Sequence, residues 1–283
     1  MRYRRIGAVE VSAIGLGGMP LSIPGRPSRE QAIATIHAAL DVGITLIDTA
    51  DAYTTTADGP GHNEELIAEA LRGRSEEVLV ATKGGHIFSD HGAWAQNGDP
   101  TYLKEAAHAS LKRLGGDAIG LYQYHRPDPN VPFADSIGAL QELHDDGVIR
   151  MVGISNASVE QIALANEILG GRLVSVQNQF SPKFRSSEGE LDYCAEHEIA
   201  FLPWSPLGGI SRASGVGADH FAIATVADEL GVSPQQVTLA WELALQHCAI
   251  PIPGASRPAS IRDSALAADL VLTESQIAAI SAG

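Results

Sequence analysis

Four side chains in this sequence would do useful chemistry as a set: Asp48, Tyr53, Lys83 and His125. A phenol with a pKa of about 10 is a poor acid at neutral pH. A nearby ammonium stabilises the phenolate and lowers that pKa. A carboxylate paired with the lysine fixes it in place, and an imidazole can hydrogen-bond a substrate oxygen and share the proton work. Together they form a tuned proton donor facing a developing alkoxide, as carbonyl reduction requires. Singly, each has an ordinary reading: a solvated lysine, a hydrogen-bonded core histidine, a turn-capping aspartate, a packed tyrosine. The set carries weight only if one end of the fold gathers all four.

The elements predict that it does. Short β-branched apolar runs lie at Val11–Leu16, Ile44–Ile47, Val78–Thr82, Ile119–Tyr124, Ile149–Ile154, Val174–Gln177, Ile199–Pro203 and Ala249–Ile252. They lack polar alternation, as strands covered on both faces do. Between them run alanine-rich stretches with helical spacing: Arg29–Leu40, Asn63–Leu71, Tyr102–Leu114, Phe133–His144, Val159–Leu169, Gly189–His197, Phe221–Leu230 and Pro234–Gln246. Glycines such as Gly43, Gly147 and Gly231 stand where helices should stop. Ser158, and Ser233 followed by Pro234, stand where helices should start. Strands alternating with helices mean a parallel sheet, and eight of them in roughly 250 residues favour one closed (β/α)8 TIM barrel over residues 1–283. Tyr3–Val11, around Gly7, predicts a short N-terminal hairpin that plugs the barrel floor, and Glu274–Ile280 an extra C-terminal helix. In such a barrel the active site lies at the C-terminal strand ends. Asp48, Lys83 and His125 fall there, with Tyr53 just beyond.

Composition narrows the classes. The 283 residues are 45% hydrophobic and 19% charged, which suits a globular chain with a large core. Nineteen lysines and arginines against 34 acids give a net charge of −15. That argues against nucleic-acid partners, which need a basic footprint, and against adhesion to an anionic membrane. Two cysteines, Cys194 and Cys248, make no disulfide framework and read as buried thiols of a reducing compartment. No apolar run has the length of a signal peptide or a membrane span, so a cytoplasmic location is expected. His86, His91 and His125 lack metal-ligand spacing with a cysteine or carboxylate, so no metal is expected. Asn156 opens a glycosylation sequon that has no meaning without export.

Seven stretches, in order and at matching spacing, resemble the aldo-keto reductases: LIDTADAY at 46–53, VATKGG at 80–85, LYQYHRPDP at 121–129, VGISN at 152–156, VQNQF at 176–180, PWSPLGG at 203–209 and PIPGASR at 251–257. The resemblance implies a (β/α)8 barrel that uses NADP(H) without a dinucleotide-binding G-x-G-x-x-G motif, and none is present. It implies Tyr53 as general acid, Asp48 and Lys83 as its tuning pair, and His125 as the residue orienting the carbonyl. It assigns Ser155, Asn156 and Gln177 to the nicotinamide carboxamide and Trp204 to stacking on the nicotinamide. Ser205, Pro206, Leu207 and Gly208 would pass the pyrophosphate, and Gly17, Gly18 and Met19 the nicotinamide ribose. At the adenosine phosphate the pattern departs from the usual one: after Gly254 come Ser256, Arg257, Ser260 and Ser264, with Arg262 behind. Arg257 is then the expected reader of the 2′-phosphate.

Trp94 either lines the substrate pocket or anchors its loop. The loop Thr54–His62 is longer than in short members, and the chain closes soon after its last helix, so an open pocket for small or varied carbonyls is expected. The expected partner is a small-molecule carbonyl substrate, and the expected state a monomer or weak homo-oligomer. Two rivals stay open: a dehydrogenase of alcohols, sugars or pyridoxal-type compounds on the same residues, and a cofactor-sensing subunit of a membrane channel.

Overall fold

The computed structural model describes residues 1–88 and 93–283. His91, weighed above as a metal ligand, lies outside them. The chain opens with an antiparallel hairpin, β1 (Tyr3–Ile6) and β2 (Val9–Ser12), turned by Gly7 at φ +55°. Then follow β3 (Leu16–Gly17), α1 (Arg29–Asp41), β4 (Leu46–Asp48), α2 (His62–Leu71) and β5 (Leu79–Gly84). A second hairpin, β6 (His86–Phe88) and β7 (Trp94–Gln96), precedes α3 (Pro100–Leu114), β8 (Leu121–Tyr124), α4 (Phe133–Asp145), β9 (Val152–Ser155) and α5 (Val159–Ile168). Next come β10 (Leu173–Gln177), α6 (Glu188–Glu196), β11 (Ala200–Phe201), α7 (Val216–Asp219), α8 (Phe221–Leu230), α9 (Pro234–Leu245), α10 (Pro258–Leu266) and α11 (Glu274–Ser281). The helix starts are capped as expected: the Ser158 hydroxyl accepts from the Gln161 N–H in a reciprocal capping box, and Ser233 caps α9 ahead of Pro234.

Seven strands form one parallel sheet in the order β11-β10-β9-β8-β5-β4-β3. Residues 249–254 close it into a (β/α)8 barrel, bridging Phe201 at Ala249 and Gly17 at Gly254. This eighth strand is half-bonded because of its prolines. The Pro251 and Pro253 carbonyls accept from Gly15 and Gly17 at 2.9 and 3.0 Å, but the two rings have no N–H to return.

Strand alternation decides which side chains face the barrel axis. Leu46, Leu79, Ala81, Leu121, Ala200, Leu202, Ile250 and Ile252 form one buried cluster, joined by Ile6 and Val11 of the first hairpin. The hairpin thus seals the floor. Two residues further along each strand, the same face presents Asp48, Lys83, Gln123 and then His125 at the opposite end. The outward residues, such as Ile47 and Val176, pack under the helices.

Two expectations need adjustment. The first barrel strand is only Leu16–Gly17, because Val9–Ser12 pairs within the floor hairpin. The helices expected at Phe221–Leu230 and Pro234–Gln246 both lie between the seventh strand and the eighth, as α8 and α9, but the eighth strand's own helix is α10, which was not expected because its serines and Pro258 hide it in the sequence.

Candidate active site

At the C-terminal mouth of the barrel, Asp48 ends β4, Lys83 lies near the end of β5, and His125 follows β8. Tyr53 comes back over Asp48 on a loop whose Thr49 N–H donates to the Ala81 carbonyl at 2.8 Å. Lys83 is fully buried. Its Nζ donates to Asp48 Oδ2 at 2.8 Å, to the Thr49 carbonyl at 2.7 Å and to the Tyr53 hydroxyl at 3.2 Å, which uses all three ammonium protons. Gln177 Nε2 donates to Asp48 Oδ1 at 2.7 Å, across the barrel. The Tyr53 and His125 rings meet edge-on with centroids 5.8 Å apart. The four residues named from sequence therefore form one cluster.

Their protonation is set mainly by burial. Burial raises the Asp48 carboxyl above its ordinary pKa, against the pull of Lys83 and Gln177. Burial opposes the Lys83 ammonium too, but Asp48 and Tyr53 outweigh it and hold its pKa above the usual lysine value. For Tyr53, burial pushes the phenol up, Lys83 pulls it down, and the balance stays above the ordinary tyrosine pKa. The expected phenol of lowered pKa is thus corrected: Lys83 softens a rise that burial causes. Tyr53 holds its proton throughout the neutral range. His125 is driven well below the usual histidine pKa by burial, reinforced by Lys83, His86 and Arg126. It is a neutral imidazole, able to orient an oxygen but carrying no surplus proton to share.

A cavity of about 540 Å³ opens above this cluster, within the range of roughly 300–1,000 Å³ for small-molecule sites. Asp48, Tyr53 and His125 border it, as do Met19, Trp94, Ser155, Asn156, Gln177, Trp204, Ser205, Pro206, Leu207 and Gly254. Gly18 stands just behind, its N–H on the Asp48 carbonyl at 2.8 Å, and Gly208 donates to the Ser205 carbonyl at 2.9 Å. Asn156, left-handed at φ +57°, ties the wall together. Its Nδ2 donates to the His125 carbonyl at 3.0 Å and its Oδ1 accepts from Trp204 Nε1 at 3.2 Å. Ser155 Oγ donates to the Gln177 carbonyl at 2.6 Å, so toward a ligand it serves as an acceptor. Ser256, Arg257, Ser260 and Ser264 lie outside the cavity lining. Arg257 is the exposed N-cap of α10, and Ser264 is buried along it. Arg262 lies 3.9 Å from Asp41 on α1.

Sequence reading missed His86 and Arg126. His86 stacks on Trp94 at 4.7 Å and meets His125 edge-on at 4.9 Å, so Trp94 both borders the pocket and braces its wall. Arg126 follows His125 directly, and that adjacency to a strand-end histidine was its only signal. Behind Tyr53 lies a buried acidic pair: Glu64, held by Arg113 at 2.6 Å and by Thr82, and Asp51, whose Oδ1 has no partner among the described residues. Burial and then Glu64 raise Asp51 to about 8. Among the described residues no three metal-ligating side chains gather, and no helix is long and apolar enough to cross a membrane.

The model of the Aldo/keto reductase family matches residues 13–282, nearly the whole chain. The chain belongs to the aldo/keto reductase family. An uncharacterized oxidoreductase of Schizosaccharomyces pombe is 34% identical to it over 274 residues, covering 95% of this chain and 85% of the relative. The pyridoxine 4-dehydrogenase of Escherichia coli is 32% identical over 279 residues, covering 95% and 93%. Among solved structures, an aldo/keto reductase from Klebsiella pneumoniae in complex with NADP and acetate superposes with a TM-score of 0.81 at 27% identity, covering 98% of this chain and 93% of that one. This aldo/keto reductase thus belongs to a family of oxidoreductases, and at the mouth of its own barrel Lys83 meets Asp48 and Tyr53.

Proposed function

We propose that this aldo/keto reductase interconverts carbonyl compounds and alcohols with NADP(H), reducing aldehydes and ketones with Tyr53 as proton donor. The observation that carries the reading is the triple contact of Lys83 with Asp48, Thr49 and Tyr53 beneath an open cavity.

The residues present suit the cofactor. Ser205 at φ +53°, Gly208 at +80° and Gly209 at +99° coil the loop above the mouth. The N–H groups of Leu207, Gly209 and Ile210 have no acceptor among the described residues, an arrangement that suits a pyrophosphate. Trp204 would take the nicotinamide face, Asn156 and Gln177 its amide, and Arg257 the 2′-phosphate. When bound, the cofactor supplies or accepts a hydride.

The protein's own contribution is positioning and proton handling. His125, neutral, hydrogen-bonds the substrate oxygen and aligns it. Tyr53 Oη passes its proton to that oxygen as negative charge builds there. Lys83 stabilises the phenolate left behind, and Asp48, held by Gln177, keeps Lys83 in place. In the reverse direction the phenolate takes the alcohol proton. The likeness to the pyridoxine 4-dehydrogenase supports an alcohol-oxidising role on the same residues. The test is a panel of aldehydes, ketones and alcohols assayed with NADPH, NADH, NADP and NAD. Reduction of aldehydes with NADPH is the expected outcome, and binding of the cofactor without turnover of any substrate would overturn the proposal.

A further inference from the structure

Arg126 has a place in the cavity that neither the proton-transfer cluster nor the cofactor reading uses. It is half-buried, borders the cavity beside Tyr53, His86, Trp94 and His125, and its guanidinium sits 5.9 Å from the centre of the Trp204 ring. Among the described residues it makes no hydrogen bond and no ion pair. The other charged group on this lining is Asp48, whose two oxygens are held by Lys83 and Gln177. The histidines of the wall add no charge: burial, then Arg126 itself, lowers His86 to about 4, and His125 is neutral as described. A guanidinium withdrawn from water costs free energy unless an acceptor meets it. Its five N–H donors match carboxylate or phosphate oxygens, two bonds at a time.

We propose that the substrates are carbonyl compounds bearing an anionic group, a carboxylate or a phosphate, which Arg126 binds while the carbonyl oxygen meets Tyr53 and His125. The proposal rests on the carbonyl–alcohol reading above. His86 stacked on Trp94 at 4.7 Å gives the cavity lining a flat aromatic face, which suits a planar ring joining carbonyl and anion. Arg126 is thereby a specificity residue and not a participant in proton transfer.

The test compares 4-carboxybenzaldehyde, 4-formylphenyl phosphate and the neutral methyl 4-formylbenzoate in the wild type, Arg126→Gln and Arg126→Lys. In the wild type, kcat/KM for at least one anion exceeds that for the ester. In Arg126→Gln that ratio falls by about 10- to 150-fold, the worth of one charge-assisted contact, and Arg126→Lys recovers part of it. Whichever anion shows the larger fall is the one the site takes. A wild type that favours the ester, or a ratio that Arg126→Gln leaves in place, overturns the proposal. If no carbonyl is turned over, the reaction itself has been misread, and the anion site is judged separately by binding of 4-carboxybenzyl alcohol, followed through tryptophan fluorescence. Weakening by the same factor in Arg126→Gln sustains the site, and an equal Kd in both proteins removes it.

Discussion

Replacing Lys83 by Met deletes an ammonium with no exposed surface and three partners. Asp48 keeps only the Gln177 amide at 2.7 Å, and the Thr49 carbonyl loses its donor. Removing one member of a buried ion pair costs about 3–5 kcal/mol, because the other is left charged without compensation. Asp48 escapes by taking up a proton, so its folded pKa climbs further above the unfolded value of about 3.9. An acid with a raised folded pKa binds its proton more tightly when folded, so the folded state loses stability as pH rises. The Lys83→Met deficit is therefore larger at pH 8 than at pH 5. Adding Asp48→Asn removes the stranded charge, so the double variant should recover at least 1–2 kcal/mol, roughly the desolvation cost of a group left unpaired, and yet stay inactive. Urea unfolding followed by tryptophan fluorescence reads both effects. A double variant as unstable as the two single losses added together would show that the contact is not an energetic unit. In Lys83→Met the phenol also loses the cation that offsets its burial, so residual alcohol oxidation moves to higher pH.

Two further outcomes follow from other parts of the structure. Arg257→Ala removes an exposed guanidinium with no ion pair among the described residues. NADPH affinity should fall about 10- to 150-fold with NADH affinity little changed, as measured by fluorescence titration; equal losses for both would make the arginine a loop brace. Asp51, raised to about 8 by burial and Glu64, lies above its unfolded pKa of about 3.9. The wild type should therefore lose stability as pH climbs from about 4 to about 8, and Asp51→Asn should flatten that slope. The same slope in both proteins would assign the titration elsewhere.

Much of this architecture was legible because the signals were local. The parallel strands read as apolar runs, and Ser158, Ser233 and Gly231 marked helix ends that the structure keeps. Strand-end position alone gathered Asp48, Lys83 and His125. The rest depended on partners distant in sequence. The eighth strand was readable as the run Ala249–Ile252, but not its one-sided bonding, which Pro251 and Pro253 impose and which shows only in its partners Gly15, Gly17 and Phe201. Helix α10 was masked by Pro258 and its serines. The Tyr53 pKa depended on how deeply the phenol is buried, which pairing chemistry does not reveal. Arg126 gained meaning only when the cavity showed it without a carboxylate neighbour.

The proposed role of Tyr53 as proton donor is tested most directly by Tyr53→Phe, which retains the ring and loses only the hydroxyl. The measurement is NADPH oxidation with a reducible aldehyde at saturating cofactor, beside a fluorescence titration of cofactor binding by the same variant. Turnover should fall by about 10² or more, the scale of general acid catalysis, with cofactor affinity nearly unchanged. A Phe variant that keeps most of its turnover would place the proton source elsewhere than Tyr53.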